Sequence, residues 1–522
     1  METPPVHPFR GLDVAELVRI RARTRPDHPF LIWEPFDGPS ETLTYGAFGE
    51  RVARVAAGLA KRGVKPGEYV LIHLDNCLET LVAWYGCATL GAVAVTTNAR
   101  SSLDELTYFA NHCGAVAAIT QPRFAELVNK ASSHFRFIAV TSHDNGAAPA
   151  AGFAPGSDSF EALLGDAADA PLRAPDAMHP LGVQYTSGTT SRPKGVLWTH
   201  ANALWGARVN AAHEDLRKED VHLVHLPLFH TNAQAYSVLA TLWAGGTAVI
   251  MPRFSASRFW PLSLKHRATW TSVIPFCVKA LVNIERPAEH FYRLWGSAVN
   301  EPPTDKHFGV KTIGWWGMTE TISHGIVGDV HLPNVPMSCG RAAPEYVIHI
   351  EDDDGRPVEG GQTGHLKVRG VRGLSLFAEY INNPQATADS FDSRGLFLTG
   401  DRVKLLADGS IQFSDRDKDM LKVGGENVAA SEIERVILSV PGVREAAVVA
   451  KPHAMLDEAP AAFIIAEQGR EGALPAEILA ACKAVLADFK VPHEIRIVEE
   501  LPRSTLEKVA KAELRKLFKQ ES

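Results

Sequence analysis

The chain has 522 residues, 45% hydrophobic and 22% charged, which fits a folded protein of roughly two to four compact units and speaks against overall disorder. Its 53 Lys and Arg against 60 Asp and Glu give a formal charge of -7, so there is no basic excess for nucleic acid or an anionic membrane surface, and small molecules are the expected partners. The 6 cysteines (Cys77, Cys87, Cys113, Cys277, Cys339, Cys482) show no C-x-x-C spacing; buried thiols in a reducing compartment are expected and a zinc site is not.

The opening METPPVHPFRGLDVAELVRI mixes prolines and acids and has no unbroken apolar core, so no secretory signal is read there. Residues 43–62 set Phe48, Val52, Val55 and Leu59 on one helical face, and Lys61-Arg62-Gly63 supplies a cationic stop matched to the helix dipole. Next come a buried strand at 69–74, a helix at 78–90 and a strand at 92–96, the alternation of an α/β layer. NGAAPAAGFA at 145–154 is a loop by composition, and short apolar runs at 221–226, 247–251 and 271–274 repeat the α/β texture. The apolar run 236–251 is broken by Gly245-Gly246 and falls short of the ~18 residues a spanning helix needs, so a cytoplasmic protein without integral membrane contact is expected.

From His349 the character changes. HLKVRG, LFLTGDRVKL and GSIQFSDRD alternate between short runs and Asp-Gly or Gly-Gly turns, predicting antiparallel strands and a small β subdomain near 340–414. The charged run 415–419 marks a boundary, after which a small α+β unit runs to the end, with Ser431 and Glu434 spaced as a capping box. The fold class is therefore α/β: a large N-terminal domain, 1–414, of two α/β layered subdomains plus the β subdomain, then a linker at 415–420 and a C-terminal domain at 421–522. No internal repeat of the usual lengths is visible.

One stretch carries chemistry. In YTSGTTSRPKGVLWTH, Gly188, Pro193 and Gly195 break both helix and strand interior, which predicts a loop over residues 186–195. Such a loop turns backbone N–H groups and hydroxyls toward one point, and Lys194 adds a full charge, as a polyphosphate cradle requires. Gly188 and Lys194 have Walker A spacing, but Pro193 and Gly195 stand where that motif needs Gly and Ser/Thr, so that reading fails. Clusters of Ser, Thr, Gly and Pro also make ordinary surface turns, and the residues alone leave both readings open.

TSGTTSRPKGV resembles the signature loop of the adenylate-forming superfamily of acyl-CoA synthetases, luciferases and peptide-synthetase adenylation domains. GWWGMTET at 314–321, LFLTGD at 396–401, DRDKDMLKVGGENVAASEIE at 415–434 and LPRSTLEKVAKAEL at 501–514 follow in the family's order. SASRFW at 255–260 and GMTETI at 317–322 look most similar to the carnitine and crotonobetaine CoA-ligase branch.

The resemblance implies an ATP-dependent acyl-CoA ligase, using ATP, Mg²⁺ and CoA, that makes an acyl-AMP and then an acyl-CoA. Thr186, Ser187, Gly188, Thr189, Thr190 and Lys194 would clamp the outer phosphates, with Ser191 standing where many members have Gly. Ser297, Ala298, Gly317 and Met318 would line the nucleotide, Trp316 would stack on adenine, Thr319 would meet the α-phosphate and Glu320 would hold Mg²⁺. Asp401 would accept the ribose hydroxyls with Arg416 assisting, and Lys418 would be the hinge of a mobile C-terminal domain. Lys508 would enter the adenylation site as a cation between acid and α-phosphate, although Glu507 precedes it where members commonly have Gly.

After rotation, Lys422, Gly424, Gly425, Glu426 and Asn427 would line a pantetheine tunnel, while His230, Gly314 and Trp315 would border the acyl pocket. Without the motif register, Trp315-Trp316 reads as core, Glu320 and the 415–419 charges as surface, and Lys508 with Lys511, Arg515, Lys516 and Lys519 as the basic face of a terminal helix. His222, His225 and His230 lie in an apolar strand-to-loop segment, and core or gate roles are favoured over a metal.

Rival readings are a ligase loading a separate carrier protein and a nucleotide-binding regulator of weak catalysis. Only LRKLFKQES follows the last motif, so a fused carrier domain is not expected; a homodimer is admitted. A quaternary ammonium substrate would need an aromatic cage or carboxylate, with Trp315, Trp205 and Glu301 as the candidates weighed, beside an aliphatic or aryl acid.

Overall fold

The computed structural model describes residues 7–144, 146–147, 156–186, 192–416, 420–502, 509 and 511–519. Within these, two large sheets form the N-terminal part. One has nine strands, and its six central ones, among them Val221–Val224, Thr247–Ile250, Leu294–Ser297 and Lys311–Trp316, run parallel. The other has eight, with Tyr69–His73, Val93–Thr96 and Pro180–Thr186 in its parallel middle and Lys194–Thr199 antiparallel beside them. Both deposit side chains into one continuous core.

The helix Tyr45–Lys61 starts two residues later than its apolar pattern, because Thr42–Thr44 pair with the strand Pro29–Trp33 and the Thr44 hydroxyl caps Ala47 N. It buries Phe48, Val52, Val55 and Leu59, as the periodicity requires. The next helix, Leu78–Leu90, is buried on every side and so reads as apolar all round. The two pack closely at Gly86, where a Cβ would stand 2.4 Å from Val55 Cγ1.

The β subdomain is the antiparallel sheet Val347–Glu351, Thr363–Arg369, Phe397–Leu405 and Ile411–Arg416. Its last strand runs through Arg416, so Asp415 and Arg416 belong to the sheet and not to the linker expected at 415–420. The C-terminal domain has its own cores on the two faces of a five-stranded sheet that includes Val443–His453 and Asp457–Ala466.

Two local expectations are corrected. Thr186, Lys194 and Gly195 are strand residues, not loop: Tyr185 pairs with Gly195 and Thr186 with Lys194 in an antiparallel hairpin. A strand tolerates Gly195 because Ile381 crosses where its side chain would be; a Cβ would lie 2.8 Å from Ile381 Cγ1. The capping box is also absent, since the helix Ala430–Leu438 begins at Ala429 with no side-chain cap. Glu434 is drawn elsewhere, accepting from Val448 N at 2.7 Å and pairing with Lys511 at 2.6 Å.

Candidate active site

Side chains from three sheets meet beyond the end of the strand Lys311–Trp316. The indole Nε1 of Trp316 donates to Asp401 Oδ2 at 2.8 Å, with both residues buried, and this bond ties the nine-stranded sheet to the β subdomain. Register sets Arg416 directly across from Asp401. Glu320, also buried, accepts at Oε1 from Tyr380 Oη at 2.8 Å, and Lys194 Nζ stands 4.6 Å from the Tyr380 ring centroid. Burial and then the Glu320 carboxylate push the Tyr380 phenol far above its ordinary range, so Tyr380 remains a donor. A carboxylate, a lysine ammonium and a phenol are thus linked across the sheet edge where Glu379–Tyr380 pairs with Lys194–Thr199.

The turn after Trp316 is held from below. Trp198 Nε1 donates to Thr319 O at 2.9 Å, and the Thr231 hydroxyl, donating to Gln184 Oε1 at 2.8 Å, lies 3.3 Å from Thr319 Oγ1. A Cβ on Gly317 would meet Tyr236 Oη at 2.4 Å, so glycine lets this turn approach the helical segment Asn232–Leu239. Ser297 is buried opposite Gly314, Ala298 follows half-buried, and Met318 is half-buried on the turn. Ser187, Gly188, Thr189, Thr190, Lys418 and Lys508 lie outside the described residues.

Next to this strand end, Trp315 stacks on His324 at 4.3 Å and 8°, and Tyr236 meets both rings edge-on. The Trp315 ring covers Gly296, where a Cβ would fall 1.7 Å from it. Gly314 does not open toward a pocket: its missing side chain makes room for Ser338 O and the Asn300 backbone, at 2.5 and 2.8 Å from a Cβ. Glu214 is fully buried behind His324, with 3.9 Å between Oε1 and Nε2, too far for a hydrogen bond. Burial pushes Glu214 well above the ordinary carboxyl range against the pull of Arg293 and Trp270, and it pushes His324 well below its own. Of the three residues weighed for a cationic pocket, Trp205 is engaged with Tyr346 Oη at 3.0 Å and Glu301 with Thr304 Oγ1 at 2.7 Å; Trp315 alone joins this aromatic wall. His222 and His225 are core residues, stacked on Trp270 and set edge-on to Phe254 and Phe259.

His230 faces the C-terminal domain. Its Nε2 meets Glu426 Oε2 at 2.9 Å; burial lowers the imidazole's basicity, but the Glu426 carboxylate outweighs it and leaves His230 above its ordinary value. The neighbouring Gly425 has φ +91, and a Cβ there would lie 2.4 Å from Ile274 Cδ1 of the large domain, so both conformation and contact select glycine. Lys422 and Asn427 are exposed on the same hairpin. Arg100, which bears electrostatically on Glu426, rims a groove of about 800 Å³ between the domains, with Ser102, Lys483 and His493 also in its wall.

The AMP-binding enzyme description matches residues 18–381 and the AMP-binding enzyme C-terminal domain matches 432–508. The chain belongs to the AMP-binding enzyme family. It is 33% identical over 506 residues to a crotonobetaine/carnitine–CoA ligase of Escherichia coli O7:K1, covering 93% of this chain and 95% of that one. Among solved structures it is similar to a double mutant of Bacillus subtilis o-succinylbenzoate CoA synthetase bound with a product analogue, at a TM-score of 0.80 and 25% identity over 96% of this chain and 98% of that one. A Mycobacterium tuberculosis fatty acyl CoA synthetase aligns at 0.69 and 28% identity over 98% and 99%. The enzyme is an ATP-dependent acyl-CoA ligase whose substrates are a carboxylate, ATP and CoA. No helix among the described residues is long and apolar enough to cross a membrane.

Tyr380 and Glu214 escaped the sequence reading. Neither sits in a recognisable motif, and each gains its place only through sheet pairing or helix packing.

Proposed function

We propose that the acid is adenylated where Lys194, Glu320, Asp401 and Trp316 converge, and that the 424–427 turn then serves CoA at the same cleft. The observation that carries this is the pair of links Trp316–Asp401 and Glu320–Tyr380–Lys194, which gathers residues about 200 positions apart in sequence around one strand end. Trp316 offers its face to adenine, Asp401 with Arg416 takes the ribose, and Thr319, Lys194 and the 186–190 segment take the phosphates. Ser297, Ala298, Gly317 and Met318 line the nucleotide. Glu320 fits Mg²⁺, since a single hard carboxylate beside substrate phosphates is how this ion is usually held; no cluster of three or more acidic, His or Cys ligands occurs among the described residues. The ion would offset phosphate charge. Lys508 bridges the two anions as they meet, a contact worth more in the transition state than in the ground state.

CoA enters by the Arg100 groove, and its thiol end passes Gly424, Gly425 and Glu426 to the His230 gate, with Lys422 and Asn427 at the mouth. For the acid we favour a trimethylammonium carboxylate. The relatives' name supports it, as does the wall of Trp315, Tyr236 and His324, because a cation is drawn to aromatic faces.

The test is pyrophosphate exchange and CoA consumption, with a trimethylammonium acid and its neutral tert-butyl isostere as substrates. The expected result is exchange with the cationic acid, at least about tenfold weaker with the isostere, CoA consumed, and exchange lost in Lys508→Ala. Equal use of both acids refutes the substrate class. Exchange without CoA consumption turns the reading toward a carrier-loading ligase, and an unaffected Lys508→Ala removes the mechanism.

A further inference from the structure

Along the Arg100 groove, the domains touch again where the segment at 100–105 of the large domain meets 485–490 of the small one. Arg100 pairs with Asp488 and lies over the Phe489 ring, and the Ser102 hydroxyl bonds Val485 O. Between these contacts Lys490 is buried, only 7% exposed. Its ammonium bonds both oxygens of Glu432, at 2.9 and 3.0 Å, and Oε1 of Glu105 across the domain boundary. Both carboxyls are buried too, at 4% and 6% exposure.

Two carboxylates around one ammonium leave the site short of positive charge. The shortfall is offset by position, because Glu105 and Glu432 each lie in the first turn of a helix, Leu103–Cys113 and Ala430–Leu438, where the helix's positive end favours an anion. Glu105 is divided between two tasks: Oε2 accepts from Ser102 N at 2.7 Å to close a capping box, and Oε1 is left for Lys490. If the small domain swings away, Glu105 returns to water still capping its helix, and Lys490 keeps Glu432. No charge is stranded on either side.

We propose that Lys490 is a positioning residue for CoA transfer, an ionic latch that clamps the acidic first turns of two helices and holds the small domain with Glu426 at His230. The proposal rests on the two-step reading above, since a latch for one orientation matters only if the domain also takes another. It touches no reacting atom. Its effect falls on the step that uses this orientation and spares adenylation.

Glu105→Gln is the cleanest perturbation, because Gln preserves the capping box while removing the charge that Lys490 bridges. Lys490→Met is the second variant. Each is assayed in the full-length enzyme for pyrophosphate exchange and, separately, for transfer from supplied acyl-AMP to CoA. Exchange is expected within about twofold of the unaltered enzyme and transfer at least about tenfold slower, with the melting temperature of Glu105→Gln unchanged. Unchanged transfer in both variants overturns the latch; so does an equal loss of both half-reactions. Should the unaltered enzyme show no exchange with any acid, the two-step reading fails by itself. The latch is then judged by the distance between spin labels on the two domains: a broadened distribution in Glu105→Gln upholds it and an identical one removes it.

Discussion

Replacing Trp316 by Phe keeps the aromatic face proposed for adenine and deletes one donor. In the folded enzyme that donor is the Nε1–H bonded to Asp401 Oδ2 at 2.8 Å, in a place where neither residue is open to water. A hydrogen bond to a charged acceptor contributes about 1.5–3 kcal/mol, and its loss lets the Asp401 carboxylate turn away from the place proposed for the ribose. At about 1.4 kcal/mol per factor of ten, the apparent affinity for ATP should weaken roughly tenfold to a hundredfold. Pyrophosphate exchange at saturating acid measures this as a raised KM for ATP. The maximal rate should stay within about threefold, because the aromatic face and the groups proposed to meet the phosphates are intact. An unchanged KM for ATP would mean that Trp316 does not orient Asp401 for the nucleotide; a lowered maximal rate with constant KM would assign the bond to the chemical step instead.

Two further outcomes follow from single contacts. His230 is held above its ordinary basicity by Glu426, so the attraction it lends is complete below the usual imidazole value of about 6.5 and is lost as pH rises through its raised value in the closed enzyme. The KM for CoA in the transfer step should therefore climb on the alkaline side in the unaltered enzyme but not in His230→Gln; parallel profiles would show that the contact does not guide CoA. Gly86→Ala should lower thermal stability although Ala is the better helix former by about 1 kcal/mol, because a Cβ 2.4 Å from Val55 Cγ1 overpacks the helix pair by about 1–3 kcal/mol. A lower melting temperature is the expected calorimetric result, and a raised one would contradict it.

Most of the order of elements was legible in the chain because burial leaves a periodic mark. Phe48, Val52, Val55 and Leu59 announce a helix, and the runs at Tyr69–His73 and Val93–Thr96 announce strands whose two faces are both covered. The errors fell where local chemistry is overruled by a neighbour. Gly195 and Lys194 look like loop residues until the strand Pro180–Thr186 pairs with them, and Ser431 and Glu434 look like a cap until Val448 and Lys511 claim Glu434.

The site divides in the same way. Sequence by itself determined which motif residues were candidates, since Lys194, Trp316, Glu320 and Asp401 stand in stretches with a readable family order. Only the tertiary structure decided that Tyr380 links Glu320 with Lys194, that Glu214 lies buried behind Trp315 and His324, and that Lys490 joins Glu105 to Glu432. The physical reason is range. Periodicity and turn chemistry act over a few neighbouring residues, whereas a hydrogen bond or ion pair depends on distances between side chains that sheet order and domain docking alone set.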